Sequence, residues 1–205
     1  MADHIIHDLA ALEALYGEVN EVSALKEIGY LHPHYAAFIE ASPFAVLATA
    51  GEHGLDASPR GDAAGFVEIV DDRTLLMADR RGNNRIDSLR NILANPQVAL
   101  LFLVPGIGET LRVNGRAEIS VDPGLLERFA VAGKCPRSML VIHIESVFFQ
   151  CSRALIRSEL WNPARHLPRS ALPSTGQMLA AVTDQRIDGE TYDRELPPRL
   201  KATLY

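Results

Sequence analysis

Residues 74–104 read TLLMADRRGNNRIDSLRNILANPQVALLFLV, and this stretch contains a strand, a basic linker, a helix and a second strand in succession. Ile86, Leu89 and Leu93 recur at three- and four-residue steps, which is typical of the apolar face of a helix. Residues 97–104 are almost continuously apolar, as expected of a strand that is buried on both faces. We predict a strand over 74–78, a helix that Asn83 or Asn84 caps and Asn95-Pro96 ends, and a buried strand over 97–104.

Short β-type runs separated by turn residues flank this stretch on both sides. Closely spaced strands of this kind predict a barrel. Apolar residues at helical spacing over residues 8–40 predict short amphipathic helices ahead of it. The other predicted strands cover residues 44–49, 55–58, 65–70, 110–120 and 139–150.

These patterns predict a single domain of mainly β structure with flanking helices, an α+β fold. A chain of 205 residues with 47% hydrophobic content is large enough for one well-buried core. We divide it into a helical segment that packs on the barrel (1–42), the barrel (43–160) and an extension of the same domain (161–205). The extension is expected to wrap the surface, with a small helix near 177–182 and a polar tail.

Charge and cysteine content exclude several classes of function. A formal net charge of -6 argues against a nucleic-acid or polybasic membrane surface. Cys135 and Cys151 form neither a CxxC pair nor the repeated spacing of a zinc site, so we expect no metal site. We also expect a reducing compartment, in which Cys135 is a buried free thiol. We find no signal-peptide pattern and no apolar run long enough to cross a bilayer, so the predicted location is the cytoplasm.

The basic linker over residues 79–85 is the most informative candidate for a binding site. It places arginines, a glycine and two amide side chains where a strand leads into a helix. Backbone N–H groups and the helix dipole attract an anion there, and arginine adds bidentate hydrogen bonds. The alternative interpretation is a capped helix whose arginines are merely solvated.

Two further basic segments are candidates for the same site. Arg60 follows a short strand and would lie beside residues 79–85 if the two strands are neighbours. The alternative is a surface ion pair with a nearby aspartate. Arg112, Asn114 and Arg116 alternate onto one face of a strand, although most strands with this pattern only face water.

Taken in order, these segments resemble the split barrel of the pyridoxamine 5'-phosphate oxidase-like superfamily, which binds flavin mononucleotide (FMN). The resemblance extends over about residues 36–161. Residues 44–49 resemble the family's first strand, Asn95-Pro96 lies at the helix–strand junction, and residues 111–116 resemble the strand that follows. The segment over 151–163 is similar to a subgroup of FMN-dependent enzymes of unknown substrate.

The resemblance implies an FMN cofactor in a groove between the two subunits of a homodimer. It implies that Arg60, Asn84 and Arg85 hold the phosphate, and that Thr110, Arg157 or Trp161 come from the partner chain. Catalytic side chains stay unassigned. The implied cofactor-binding residues are Ser58, Arg60, Ala78, Asp79, Asn84, Arg85, Thr110, Arg112, Arg157 and Trp161.

Two departures from the family pattern bear on the substrate. Arg199-Leu200-Lys201 stands where the oxidases carry Arg-Leu-His, so activity on pyridoxine phosphate is not expected. Asn84-Arg85 stands where Arg-Lys is expected, so an arginine takes the place of the lysine beside the phosphate. The resemblance implies an oxidoreductase that passes electrons from a nicotinamide or small organic donor through FMN to an acceptor. The alternatives are a non-catalytic flavin binder, and a haem or deazaflavin binder with His143 or His166 as axial candidates.

Overall fold

The computed structural model describes residues 4–52 and 54–205, and its centre is one seven-stranded antiparallel sheet. Along the sheet the strands follow the order β2-β1-β5-β6-β7-β4-β3. The predicted mainly β fold with flanking helices is confirmed. The strands are β1 (Phe44–Gly51), β2 (Gly54–Gly61), β3 (Val67–Ile69), β4 (Thr74–Asp79), β5 (Gln97–Leu103), β6 (Thr110–Ser120) and β7 (Ser138–Gln150).

Eight α-helices lie in the described part of the chain, mostly before and after the strands. Within residues 4–52 and 54–205, no helix is both long enough and apolar enough to cross a membrane. Two single 3-10 turns, Pro163–Arg165 and Arg169–Ala171, lie in the segment that was expected to wrap the surface. The helices are α1 (Leu9–Tyr16), α2 (Glu21–Leu25), α3 (Pro33–Ala41), α4 (Asp87–Ala94), α5 (Pro123–Arg128), α6 (Arg153–Ser158), α7 (Thr175–Val182) and α8 (Gly189–Ala202).

In β1, β5 and β6, every second side chain is buried in the core. In β5, Leu100 and Phe102 are fully buried, whereas Leu101 and Leu103 are half-buried. The expectation that β5 is buried on both faces was therefore wrong. A continuous apolar run does not distinguish a strand buried on both faces from one whose second face is only partly covered.

The two ends of the curled sheet approach each other through side chains. Strand β2 lies at one edge and β4 next to the other, yet Arg60 Nη1 is 2.7 Å from Asp79 Oδ1. Arg80 Nε likewise lies 3.0 Å from Asp62 Oδ2. In the part of the chain that the structure describes, β2 and β4 share no backbone ladder. The barrel is therefore split at this point and bridged by two ion pairs.

Helix α4 begins later than the sequence pattern predicts. Its N-cap is Ile86, which has a left-handed φ of 52° and makes no side-chain capping bond within the described chain. The prediction that Asn83 or Asn84 caps α4 was wrong. The Asn83 side chain instead accepts a hydrogen bond from the backbone N–H of Arg85, and that of Asn84 accepts one from Arg137.

The buried face of α4 also differs from the predicted one. Ser88 and Ile92 are buried, whereas Leu93 is 78% exposed. Of the predicted apolar face, only Leu89 packs against the core, and Ser88 and Asn91 on the same side of the helix bond to the sheet.

The C-terminal extension contains a helix that the sequence analysis missed. Helix α8 includes Pro197 and Pro198, and a proline pair usually ends a helix. The side chain of Asp188 caps α8 by accepting hydrogen bonds from two backbone N–H groups. Helix α8 also packs on α7, where Asp193 Oδ1 accepts a hydrogen bond from the backbone N–H of Gly176 at 2.7 Å. Packing and capping thus outweigh the local effect of the prolines.

Of the three N-terminal helices, α3 packs on the sheet, with Ile39 fully buried. Helices α1 and α2 have no buried residue in this single chain, and the predicted apolar face of α1, formed by Leu9, Leu12 and Leu15, is exposed.

Candidate functional site

A groove of about 900 Å³ opens where the ends of β2 and β4 meet the start of β7. It combines cationic, amide and apolar side chains from four separate parts of the chain. Its lining residues are Ser58, Pro59, Arg60, Gly61, Asp62, Ala63, Phe66, Ala78, Asp79, Arg80, Arg81, Gly82, Asn83, Asn84, Ile86, Leu89, Arg137, Ser138, Leu204 and Tyr205.

Arg60 is the best-buried cation of the groove. It lies near the end of β2, opposite Ala45 of β1, and its side chain is 18% exposed. Its Nη1 donates a hydrogen bond to Asp79 Oδ1 at 2.7 Å. Its Nε is buried and has no hydrogen-bond partner among the described residues. A buried N–H donor without an acceptor is costly, so this position is suited to an anionic ligand.

The linker between β4 and α4 supplies two more arginines. Arg80 is held in place by Asp62 and by the carbonyl oxygen of Phe129, to which its Nη1 donates at 2.5 Å. Arg81 lines the groove and makes no side-chain hydrogen bond or ion pair with the described residues. Of the two linker arginines that line the groove, Arg80 is therefore fixed and Arg81 is free to bind a ligand.

Two tertiary hydrogen bonds hold α4 against the sheet. The buried Ser88 hydroxyl donates to Asp56 Oδ2 of β2 at 2.6 Å. Asn91 Nδ2 donates to Thr49 Oγ1 of β1 at 3.0 Å. Gly51 permits this approach, because a Cβ there would lie 2.1 Å from Asn91 Oδ1.

Tyr205 forms part of the groove wall and makes three polar contacts. Its hydroxyl donates to Asp62 Oδ1 at 2.7 Å, and its ring lies 5.7 Å from the Arg80 guanidinium carbon. Lys134 Nζ donates to its main-chain oxygen at 2.9 Å. These contacts connect the last described residue to three other segments.

The contacts of Tyr205 change the pKa of both partners. Burial alone would raise the pKa of Asp62, but the hydrogen bonds from Tyr205, from the Ala63 N–H and from Arg80, together with the Arg80 charge, hold it below its ordinary value of 3.8. The same hydrogen bond to Asp62, followed by the negative charge of that carboxylate, raises the pKa of Tyr205 above 10.0.

Five of the ten predicted cofactor-binding residues lie together in this groove: Ser58, Arg60, Ala78, Asp79 and Asn84. Arg85 is close in sequence but does not line the groove; its side chain is 76% exposed and pairs with Asp87 at 2.8 Å.

The other four predicted residues lie at the opposite end of β7. Thr110 pairs with Gln150, whereas the groove borders on Ser138, twelve residues earlier in that strand. At about 3.3 Å per residue, this separation is on the order of 40 Å. Arg112 pairs with Phe148, Trp161 bonds to Ile107, and Arg157 lies in α6. Within one chain, these four residues cannot reach a small ligand in the groove.

The selection of site residues from the sequence omitted Arg80, Arg81, Arg137 and Tyr205. The first two belong to the basic linker that the sequence analysis singled out. Arg137 carried no local signal, because its place depends on the pairing of Ser138 with Asp79 between β7 and β4. His143 and His166, the axial candidates of the haem alternative, are exposed and do not line the groove.

Cys135 and Cys151 are both free and exposed. The expectation that Cys135 is buried was therefore wrong, since it lies in a loop just before β7.

Comparison with known proteins adds a family and a fold. A family profile described as pyridoxamine 5'-phosphate oxidase matches residues 31–151. A variant of HupZ from Group A Streptococcus has 18% identity and a TM-score of 0.50, over 58% of this chain and 99% of that chain. HupZ itself has 21% identity and a TM-score of 0.49, over 60% of this chain and 95% of the HupZ chain. A FAD-binding protein from Mesorhizobium loti has 19% identity and a TM-score of 0.41, over 58% of this chain and 94% of that protein's chain. The likeness to the HupZ variant concerns the fold alone, and no curated protein matches the chain.

Proposed function

Because the chain belongs to the pyridoxamine 5'-phosphate oxidase family, we propose that it is a flavoprotein that binds FMN in the groove and transfers electrons through it. Membership of this family points to a flavin cofactor. The groove volume of about 900 Å³ falls within the range of about 300–1,000 Å³ that is usual for small-molecule sites. The observation that carries the proposal is the unpartnered, buried Nε of Arg60.

The proposed phosphate site has Arg60 at its centre. Its guanidinium lines the groove and binds the phosphate while its Nη1 stays paired with Asp79, which holds the guanidinium in place. Ser58 and Asn84 line the same groove and add polar contacts. Arg85 contributes from the rim once it leaves its exposed ion pair with Asp87, which has little energetic value.

When bound, FMN supplies hydride and single-electron transfer, and the side chains have other tasks. Ala78, Phe66 and Leu89 give the groove an apolar wall that excludes water from one side. Arg80 and Arg81 bring positive charge, which favours an anionic flavin or substrate.

We propose that the cofactor lies between two copies of the chain. Thr110, Arg112, Arg157 and Trp161 are at the far end of β7, so they contribute to a groove only if it is the groove of a second subunit. The exposed leucines of α1 support an association that removes apolar surface from water. The free, exposed Cys135 and Cys151 support a reducing compartment, for which we propose the cytoplasm.

Titration of the apoprotein with FMN, followed by quenching of flavin fluorescence, tests the cofactor proposal. Arg60→Ala removes the buried guanidinium and is expected to weaken FMN binding by about tenfold or more, the usual effect of losing a charge-assisted hydrogen bond. Arg90→Ala, an exposed arginine of α4 that does not line the groove, is the matched control. Equal FMN affinity in all three proteins would refute the phosphate site.

Electron transfer needs its own experiment. Under anaerobic conditions, NADPH or NADH is expected to bleach the visible absorbance of the bound flavin. Tight FMN binding without bleaching by either nucleotide or by a panel of small organic donors would leave a non-catalytic flavin binder as the function.

A further inference from the structure

A second, smaller cavity of about 300 Å³ adjoins the groove. The two cavities share Arg80, Arg81, Arg137 and Tyr205, so these four residues form the boundary between them. The remaining lining of the smaller cavity, here called the cationic cleft, comes from Lys134, Cys135 and Pro136.

The charged side chains that line the cationic cleft are all positive, although the chain has a net charge of -6. Three arginines and Lys134 line it, and no carboxylate side chain does so among the described residues. Arg137 donates one side-chain hydrogen bond to Asn84, and Arg81 makes no side-chain hydrogen bond with the described residues. Since a guanidinium has five N–H donors, most of the donors of these two arginines are available to an anion.

Tyr205 follows the end of α8 and is positioned by its contacts with Asp62, Arg80 and Lys134. Arg80, against which its ring lies, is fixed by Asp62 and the Phe129 carbonyl. The preceding Leu204 is 64% exposed, so it adds little packing.

We propose that Tyr205 sets the size of the ligand that is accepted beside the flavin; this inference rests on the proposed function of the groove. While the Tyr205 ring lies against Arg80, it separates the groove from the cationic cleft. Only a compact anion then fits in the cleft. When the ring is absent, the cationic cleft opens into the part of the groove beside the flavin. Arg80, Arg81, Lys134 and Arg137 then line one channel, which accepts a long phosphorylated ligand.

The test uses FMN-loaded protein and two probes, inorganic phosphate as the compact anion and adenosine 2',5'-bisphosphate as the long one. Binding is measured by isothermal titration calorimetry, and retention of FMN by its visible absorbance. Tyr205→Ala is expected to bind the bisphosphate about tenfold more tightly than the wild type and to bind phosphate with little change. Tyr205→Phe keeps the ring and is expected to behave like the wild type or to fall between the two.

Leu200→Ala, which alters an exposed residue of α8 outside both cavities, is the control for a general effect on the C-terminal helix. Equal bisphosphate affinity in the wild type and Tyr205→Ala would overturn the proposal, and so would a lack of binding by both probes. Loss of FMN from Tyr205→Ala alone would mean that Tyr205 holds the flavin, which also overturns it. If the wild type itself binds no FMN, the proposed function fails. The affinities of the purified, flavin-free proteins for the two probes still show whether Tyr205 separates the groove from the cationic cleft.

Discussion

At the residue scale, Arg60 illustrates how one side chain can join two strands and still be available to a ligand. Its Nη1 is paired with Asp79 across the split in the barrel, and its Nε is buried without an acceptor. A lysine could not do both, because it has a single nitrogen and lacks the fixed fork of donors. This division between the two nitrogens is the chemical basis of the proposed phosphate site.

Tyr205→Phe is expected to raise the pKa of Asp62 toward its ordinary value, because it removes the strongest of the hydrogen bonds that lower this pKa. The pKa can be measured by NMR titration of the carboxyl carbon. Since the folded-state pKa is lowered, Asp62 stabilises the fold above about pH 3.8, and this contribution is lost as the pH falls through the folded-state pKa. An unchanged Asp62 titration in Tyr205→Phe would show that the hydroxyl does not bond to Asp62 in solution.

Ser88→Ala is expected to lower the free energy of unfolding by about 1 kcal/mol, because the buried hydroxyl that ties α4 to Asp56 is lost. Urea denaturation measures the change. Ser158→Ala, whose exposed hydroxyl donates only within its own helix, serves as the control and should stay close to the wild type. Equal stability of the two variants would contradict a role for Ser88 in holding α4 on the sheet.

At the element scale, the pairing of β6 with β7 depends on one glycine. The register shifts between Asn114 and Gly115, and a Cβ on Gly115 would lie 2.1 Å from the carbonyl oxygen of His143. The two backbones come so close that no side chain fits between them.

Gly115→Ala is accordingly expected to cost about 3 kcal/mol or more, since backbone atoms of two long strands would have to move apart. The control is Gly82→Ala, because a Cβ at Gly82 meets nothing within 4 Å. Thermal and urea unfolding of both variants would check the difference. A Gly115→Ala protein as stable as the control would mean that the strands separate more easily than the structure indicates.

At the scale of the whole molecule, the predicted residues lie in two distant regions, so the proposed FMN site can include all of them only if two subunits share it. If the FMN site combines Arg60 of one copy with Trp161 of another, neither Arg60→Ala nor Trp161→Ala alone should have an intact site. A mixed dimer of the two variants has one site with both residues present. Co-expression is therefore expected to restore about one flavin per mixed dimer, which is half of its two sites.

Flavin content of affinity-purified mixed dimers, with each variant carrying a different tag, measures this recovery. Sedimentation analysis of each variant first establishes that it still forms dimers. Mixed dimers that bind no more FMN than either parent would exclude a site shared between Arg60 and Trp161.

The sequence by itself determined the kind of fold and the basic segments that the proposed site uses. The alternation of apolar residues and the turn signals placed the strands, because a sheet buried on one face requires a period of two. The basic linker over residues 79–85 and Arg60 were recognised because arginine and exposed N–H groups bind anions wherever they occur. The resemblance to the family rested on the same segments and agrees with the match over residues 31–151.

Only the tertiary structure decided which of these residues meet. Arg60 and Asp79 are close because the sheet curls. Arg137 lies beside them because β7 pairs with β4, and Tyr205 does so because α8 continues through Pro197 and Pro198. Likewise, Thr110 and Trp161 are separated from the groove by the length of β7. Such contacts join residues that are distant in sequence, and their energies depend on packing and strand order, which no local pattern of residues encodes.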